Sequence, residues 1–194
     1  MKEIDHSNGY DQLADDFAAI RAGSNIGVAA IRKWAHAFKP GSSILDVGCG
    51  SGVPVTKTLL QEGMNVCGVD ASPNQVSLFR KNCPDVPVIC EPAETSSFFN
   101  RTFDGVVAWG LLFLLSEQHQ ITVIQNVAGR LQSGGRFLFT APSQNVEWND
   151  VLTGLPSRSL GAKRYKALLN SCGFQLVEEF EDEGENHYYH ATKQ

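Results

Sequence analysis

The stretch that most constrains the fold is Ile44 to Val55, which reads Ile-Leu-Asp-Val-Gly-Cys-Gly-Ser-Gly-Val-Pro-Val. A short apolar run enclosing Asp46 reads as a strand. Glycines follow at 48, 50 and 52, and Pro54 stands where a helix opens without losing a needed N–H. A strand that turns on glycines into a helix brings backbone amides within reach of a ligand. A second apolar run, Val66-Cys67-Gly68-Val69, stops at Asp70. An acidic residue at the tip of the second strand is the usual partner of the two ribose hydroxyls. The opening of the fold is therefore expected to be a nucleoside-binding βαβ unit. The plain alternative is a tight turn in a parallel α/β protein.

The glycine spacing narrows the nucleoside. A dinucleotide fingerprint, Gly-x-Gly-x-x-Gly, that starts at Gly48 and Gly50 needs its third glycine at position 53, where Val53 stands. This counts against a nicotinamide-dependent oxidoreductase. Asp46-x-Gly48-x-Gly50-x-Gly52, with Asp70 downstream, instead resembles motif I of the class I S-adenosylmethionine-dependent methyltransferases. The resemblance implies that the glycine turn lies under the methionine part of S-adenosyl-L-methionine. It also implies that Asp46 helps hold the amino group of that cofactor and Asp70 the ribose. The implied fold is α/β: a Rossmann-like seven-stranded, mostly parallel sheet with an antiparallel last strand and helices on both faces.

At 194 residues the chain is long enough for one good core and short for two, so one domain over 1–194 is expected. Within it, 1–40 would hold N-terminal helices and a lid, 41–140 the cofactor core, and 141–194 the substrate side, last helix and hairpin. A net charge of −5 argues against a surface built to track phosphates, so no nucleic-acid partner is expected. Cys49, Cys67, Cys83, Cys90 and Cys172 show no Cys-x-x-Cys spacing and read as reduced thiols, with no metal site expected. No apolar run reaches spanning length and the N-terminus lacks a signal peptide's apolar region, so a cytoplasmic chain without a membrane partner is expected.

Tyr10 to Arg21 carries Leu13, Phe17 and Ile20 at helical spacing. Its Tyr-Asp-x-x-Ala-x-x-Phe pattern is similar to the family segment that folds over cofactor and substrate, which would place Tyr10 and Arg21 at the cofactor. A helix packed on the sheet for stability is the other reading. Ser24 or Asn25 can cap the next helix, and Ser72-Pro73 opens another that runs to about Cys83. After a short strand at Pro87 to Cys90, the family places an acidic residue and a backbone amide against the adenine. Ala93-Glu94 is aligned with that pattern here, with Glu91 as competitor. The strand Phe103 to Ala108 resembles the fourth strand of the family and ends in Trp109, expected to lie against the cofactor. The following apolar loop, Leu111 to Leu115 with Phe113, would wall an apolar pocket, and core filling is the other reading for the loop and for Trp109. Ser116 caps a helix reaching Leu131, and Gly134-Gly135 ends it before a strand at Arg136 to Thr140. Ala141 to Ser159 reads as irregular and substrate-choosing, with Trp148 as a candidate wall.

A sixth strand at Phe174 to Phe180, if parallel, ends on the cofactor side. The turn after it then carries Glu183, Glu185, Asn186 and His187 to the active-site rim. His187 is the candidate general base and Asn186 a candidate substrate contact, although such a charged run also suits a solvated turn. The expected acceptor is a small, partly apolar metabolite methylated on O, N or S, and the oligomeric state is open. A nucleic-acid enzyme of this fold would resemble others in an Asp/Asn-Pro-Pro-Tyr/Phe motif where this chain has Ala-Trp-Gly-Leu. A protein methyltransferase and a non-catalytic binding module remain alternatives.

Overall fold

The computed structural model describes residues 5–194. In chain order its strands are β1 (Ser43–Val47), β2 (Asn65–Asp70), β3 (Val88–Cys90), β4 (Phe103–Ala108), β5 (Leu131–Thr140), β6 (Asn145–Asn149), β7 (Pro156–Leu160), β8 (Phe174–Glu181) and β9 (His187–Lys193). Seven of them form one sheet in the order β3-β2-β1-β4-β5-β9-β8, and β6 and β7 pair separately. The first five pair in parallel, while β9 runs antiparallel to both β5 and β8. Strand β8 is therefore parallel to β5, and its carboxyl end at Glu181 lies on the same edge as those of β1, β2 and β4. The helices are α1 (Ala14–Ala22), α2 (Val28–Ala35), α3 (Val55–Gln61), α4 (Pro73–Asn82), α5 (Glu117–Arg130) and α6 (Gly161–Ser171). This is the expected Rossmann-like architecture.

Alternation along the strands divides the core between the two faces. Ile44, Val66, Val107, Leu138 and Tyr188 point toward Ile31 and Trp34 of α2 and Val55 and Leu59 of α3. Their neighbours Leu45, Cys67, Val106, Phe139 and Tyr189 point toward Val123 and Val127 of α5 and Tyr165 and Leu168 of α6. With both faces covered, the central strands are largely apolar, which is why β1 and β4 carry no polar alternation.

Four local expectations need correction. Helix α2 opens at Gly27, which takes a left-handed φ of 82°; Ser24 and Asn25 only form the turn before it. Ile20 of α1 is 54% exposed, so the apolar stripe of that helix is narrower than its spacing suggests. Helix α5 stops at Arg130 and β5 already starts at Leu131, before the two glycines. The segment expected to be irregular after β5 contains the antiparallel β6–β7 hairpin. Its turn is organised by Asp150, whose carboxylate accepts from the Leu152 and Thr153 N–H groups. Among the described residues no helix is long and apolar enough to cross a membrane.

Candidate active site

At the carboxyl edge of the parallel strands lies a cavity of about 960 Å³ counted out to its open mouth. Its floor is the turn from β1 to α3. Asp46 ends up beneath that turn because β1 pairs on both sides, and it is only 1% exposed. The Thr56 hydroxyl donates to Asp46 Oδ2 at 2.6 Å. Burial pushes the Asp46 carboxyl up to about 7, and the neighbouring Asp70 charge adds to the rise against the Thr56 bond. A cation bound there would relieve this.

Asp70, at the tip of β2, accepts from Gly50 N–H at 2.8 Å and from Ser72 N–H at 2.9 Å. Burial raises its carboxyl above the usual range, although both bonds pull the other way. Each oxygen keeps lone-pair capacity for a ligand hydroxyl. Gly50 takes φ 53°, and the space where a side chain would stand opens on the cavity, with Gln75 Oε1 the nearest atom at 3.6 Å.

The opposite wall is Trp109 with Arg21 stacked on its indole at 4.0 Å. Trp109 Nε1 donates to the Tyr188 hydroxyl at 2.6 Å, and Tyr188 donates to Asp182 at 2.8 Å. This relay fixes the indole and with it the guanidinium. Arg21 Nε and Nη2 are buried with no acceptor among the described residues. Two parallel N–H donors left open in this way suit a carboxylate.

Residues 5–11 form a strap across the mouth. His6 Nδ1 lies 3.0 Å from Glu94 Oε1, and Tyr10 donates to Asp150 at 3.1 Å. Asp11 accepts from the Ser72 hydroxyl and the Asn74 N–H at the start of α4. His6, Ser7, Asn8 and Tyr10 line the cavity beneath.

Of the residues expected at the site, Tyr10, Arg21, Asp46, Gly48, Gly50, Asp70, Glu91, Ala93, Glu94 and Trp109 all line this one cavity. The competition at the adenine position persists in space. Glu91 accepts from the Ser96 hydroxyl and Ser97 N–H, whereas Glu94 is shared by His6 and His119.

Five expected residues are not among its lining. Gly52 faces α4, where a Cβ would stand 3.0 Å from Cys83 Sγ and 3.1 Å from Phe79, so this glycine serves packing. Phe113 and Trp148 pack on each other at 5.6 Å and seat the β6–β7 hairpin. The Asn186 amide is spent on both oxygens of Asp182 inside the turn. His187 starts β9, and its turn does reach the cofactor edge. Its ring, however, lies on the Tyr189 face, edge-on to that ring, with Nε2 3.2 Å from Glu179 and Nδ1 3.4 Å from Glu181. The candidate base is thus directed at carboxylates away from the cavity. The lining also includes Leu111, Leu114 and Leu115 of the loop expected to wall an apolar pocket, Phe17 of the segment expected to fold over the cofactor, and Asn8 and Gln75, which motif reading did not single out. For Gln75 a signal existed in the Ser-x-x-Gln start of α4.

The groups facing the cavity suit S-adenosylmethionine, which brings an ammonium, a carboxylate, a ribose diol and an adenine. Asp46 and Asp70 are acceptors in need of a cation or hydroxyl, and the Arg21 donors need an anion.

Residues 44–135 match the family model described as a methyltransferase domain. An arsenite methyltransferase of Halobacterium salinarum is 28% identical over 190 residues, covering 88% of this chain and 46% of that protein. An aklanonic acid methyltransferase of a Streptomyces species is 29% identical, over 53% of this chain and 49% of that protein. The chain spans about half the length of such curated relatives. In fold it is similar to magnesium protoporphyrin IX methyltransferase of Synechocystis with bound S-adenosylmethionine. That match has a TM-score of 0.79 and 15% identity, with both chains fully covered. The 1,6-didemethyltoxoflavin-N1-methyltransferase of Burkholderia thailandensis gives a TM-score of 0.73 at 19% identity, over 100% of this chain and 92% of that one. Motif I at a parallel strand tip and the order of the seven strands make this chain similar to the class I S-adenosylmethionine-dependent methyltransferases, and residues 44–135 match a methyltransferase domain.

Proposed function

We propose that this chain transfers the methyl group of S-adenosylmethionine to an O, N or S atom of a small, partly apolar metabolite. One observation carries the reading. A single cavity joins a polar cradle (Asp46, Asp70, Arg21) to a wall of Tyr10, Phe17, Trp109, Leu111, Leu114 and Leu115. The cradle satisfies the charges of the cofactor, and the aromatic and aliphatic wall suits an acceptor with apolar surface.

In this reading the bound cofactor supplies an electrophilic methyl group on a sulfonium. Asp46 takes the ammonium, Arg21 the carboxylate and Asp70 the ribose, while Ala93 with Glu91 or Glu94 takes the adenine. Trp109 is held by Tyr188 and Asp182, so the wall facing the acceptor is rigid before binding. The strap closes the mouth and sheds water. Holding the acceptor close and in line is then the main contribution of the protein, and effective molarities from such positioning supply about 7–11 kcal/mol of a barrier. With both His187 nitrogens facing carboxylates, positioning rather than that imidazole is assigned the rate.

Relatives named for arsenite and aklanonic acid, and folds named for a porphyrin and a toxoflavin precursor, support a small acceptor. Their variety is also why no single acceptor is carried over. The test is incubation of purified protein with isotopically labelled S-adenosylmethionine and fractionated cell extract, read by mass spectrometry. Label is expected in a small metabolite. Label found only in protein or nucleic acid would refute the proposed acceptor class.

A further inference from the structure

Helix α4 begins with Ser72-Pro73-Asn74-Gln75, a Ser-x-x-Gln start. In a reciprocal capping box the cap hydroxyl accepts the N–H of the third helical residue, and the side chain of that residue turns back to the N–H of the cap. Only half of this forms here. Ser72 Oγ accepts from Gln75 N–H at 3.0 Å. The Ser72 N–H, however, donates to Asp70 Oδ1 at 2.9 Å. Because Asp70 has taken the donor that Gln75 would use, the Gln75 amide oxygen is released from the helix.

That oxygen is buried and has no partner among the described residues, on a side chain only 2% exposed. Gln75 lines the cavity, and its Oε1 stands 3.6 Å from the point where a Gly50 side chain would begin. Gly50 N–H itself donates to the other Asp70 oxygen at 2.8 Å. An amide oxygen and a carboxylate therefore flank the same glycine, with open space over it. Buried acceptors in native proteins are almost always paired, so a donor is expected from the ligand. A ribose offers two hydroxyl donors on adjacent carbons, which matches two neighbouring acceptors.

We propose that Gln75 is a specificity residue for the cofactor, its amide oxygen accepting from one ribose hydroxyl while Asp70 accepts from the other. This rests on the S-adenosylmethionine reading above. Under it Asp70 has a double role: it binds one hydroxyl and, by occupying the Ser72 N–H, frees Gln75 for the second. The ribose is then read as a diol, and removal of the hydroxyl at Gln75 leaves the amide oxygen unpaired once more.

Calorimetric titration with S-adenosylhomocysteine and with its 2′-deoxy and 3′-deoxy forms tests this. The native chain, Gln75→Met and Gln75→Asn would each be titrated, with circular dichroism to confirm the fold. Methionine fills the volume without an acceptor, and asparagine keeps an amide but withdraws the oxygen. The native chain is expected to lose roughly tenfold in affinity for one deoxy form through Gln75. Either variant should bind S-adenosylhomocysteine roughly tenfold more weakly yet show no further loss for that same deoxy form. Binding of S-adenosylhomocysteine with the deoxy penalty unchanged in a folded variant would overturn the assignment of Gln75 alone. No binding by the native chain would overturn the cofactor reading and this one with it.

Discussion

Asp46→Asn should make the cofactor-free protein more stable at pH 8 and a poorer binder at the same time. The Asp46 carboxyl titrates near 7 in the fold against an ordinary value of 3.8, chiefly because it is buried. That gap is worth about 4 kcal/mol at about 1.36 kcal/mol per pH unit. The sign follows from proton counting. Between about pH 4 and 7 the folded chain keeps a proton that the unfolded chain has lost. Stability from this group is therefore full below about pH 4, falls as pH rises, and levels off above about 7.

Asparagine removes the charge and keeps an oxygen for the Thr56 hydroxyl, although a neutral acceptor forms a weaker bond by about 1 kcal/mol. A gain of about 2–4 kcal/mol at pH 8, with little difference at pH 4, is expected from urea denaturation of both proteins. Relief of the neighbouring Asp70, whose charge also raises Asp46, acts in the same direction. Calorimetric titration at pH 8 should show S-adenosylhomocysteine bound about a hundredfold more weakly, because the ammonium has lost its buried counter-charge. An Asp46→Asn chain that is less stable than the native one at pH 8, or that follows the same pH dependence, would refute the claim that this carboxylate is held at a cost for the sake of a cation.

Asp70→Ala should weaken S-adenosylhomocysteine by about 2–3 kcal/mol in calorimetry, since a charged acceptor of a ribose hydroxyl is lost. Gly52→Ala should lower stability by about 1–3 kcal/mol in urea, given φ 80° and the 3.0 Å approach to Cys83, without weakening the ligand in the folded fraction. His187→Ala should leave kcat within a few-fold in a labelled-methyl assay once an acceptor is found, where loss of a true general base costs about 10²–10⁴-fold. Tyr188→Phe strands the buried Trp109 N–H and takes one of several donors from Asp182, and should cost about 1–3 kcal/mol in urea.

The fold is legible in the sequence because its signals are local and agree. Apolar runs end at glycines or acids, Ser72 and Ser116 cap the helices they precede, and Gly173 follows the end of α6. The β6–β7 hairpin escapes such reading because β6 is not buried on a regular face: Asn145, Val146, Glu147 and Asn149 are all exposed. It exists through backbone pairing and an Asp150 turn rather than through alternation. Gly52 is visible as part of the motif, but its neighbours Phe79 and Cys83 come from the next helix and its end, and spacing alone carries no information about them.

The site divides along the same line. Asp46, Gly48, Gly50 and Asp70 sit at strand tips, and backbone geometry alone carries a strand tip to the ligand edge. The parallel direction of β8 brings His187 to that edge as well, yet its side is a matter of parity. In a strand, one residue's shift sends a side chain to the opposite face. Tyr188 takes the Trp109 side and puts its hydroxyl behind the cavity wall, so His187 is left with Tyr189 and the glutamates of β8. A strand whose first residues are His-Tyr-Tyr-His gives no hydrophobic alternation from which to read that parity. It is set by Asp182, which receives the Tyr188 hydroxyl and, through the Asn186 N–H and amide, the turn itself. The acid in the turn therefore decides which aromatic ring of β9 supports the active-site wall, and in doing so turns the imidazole away from it.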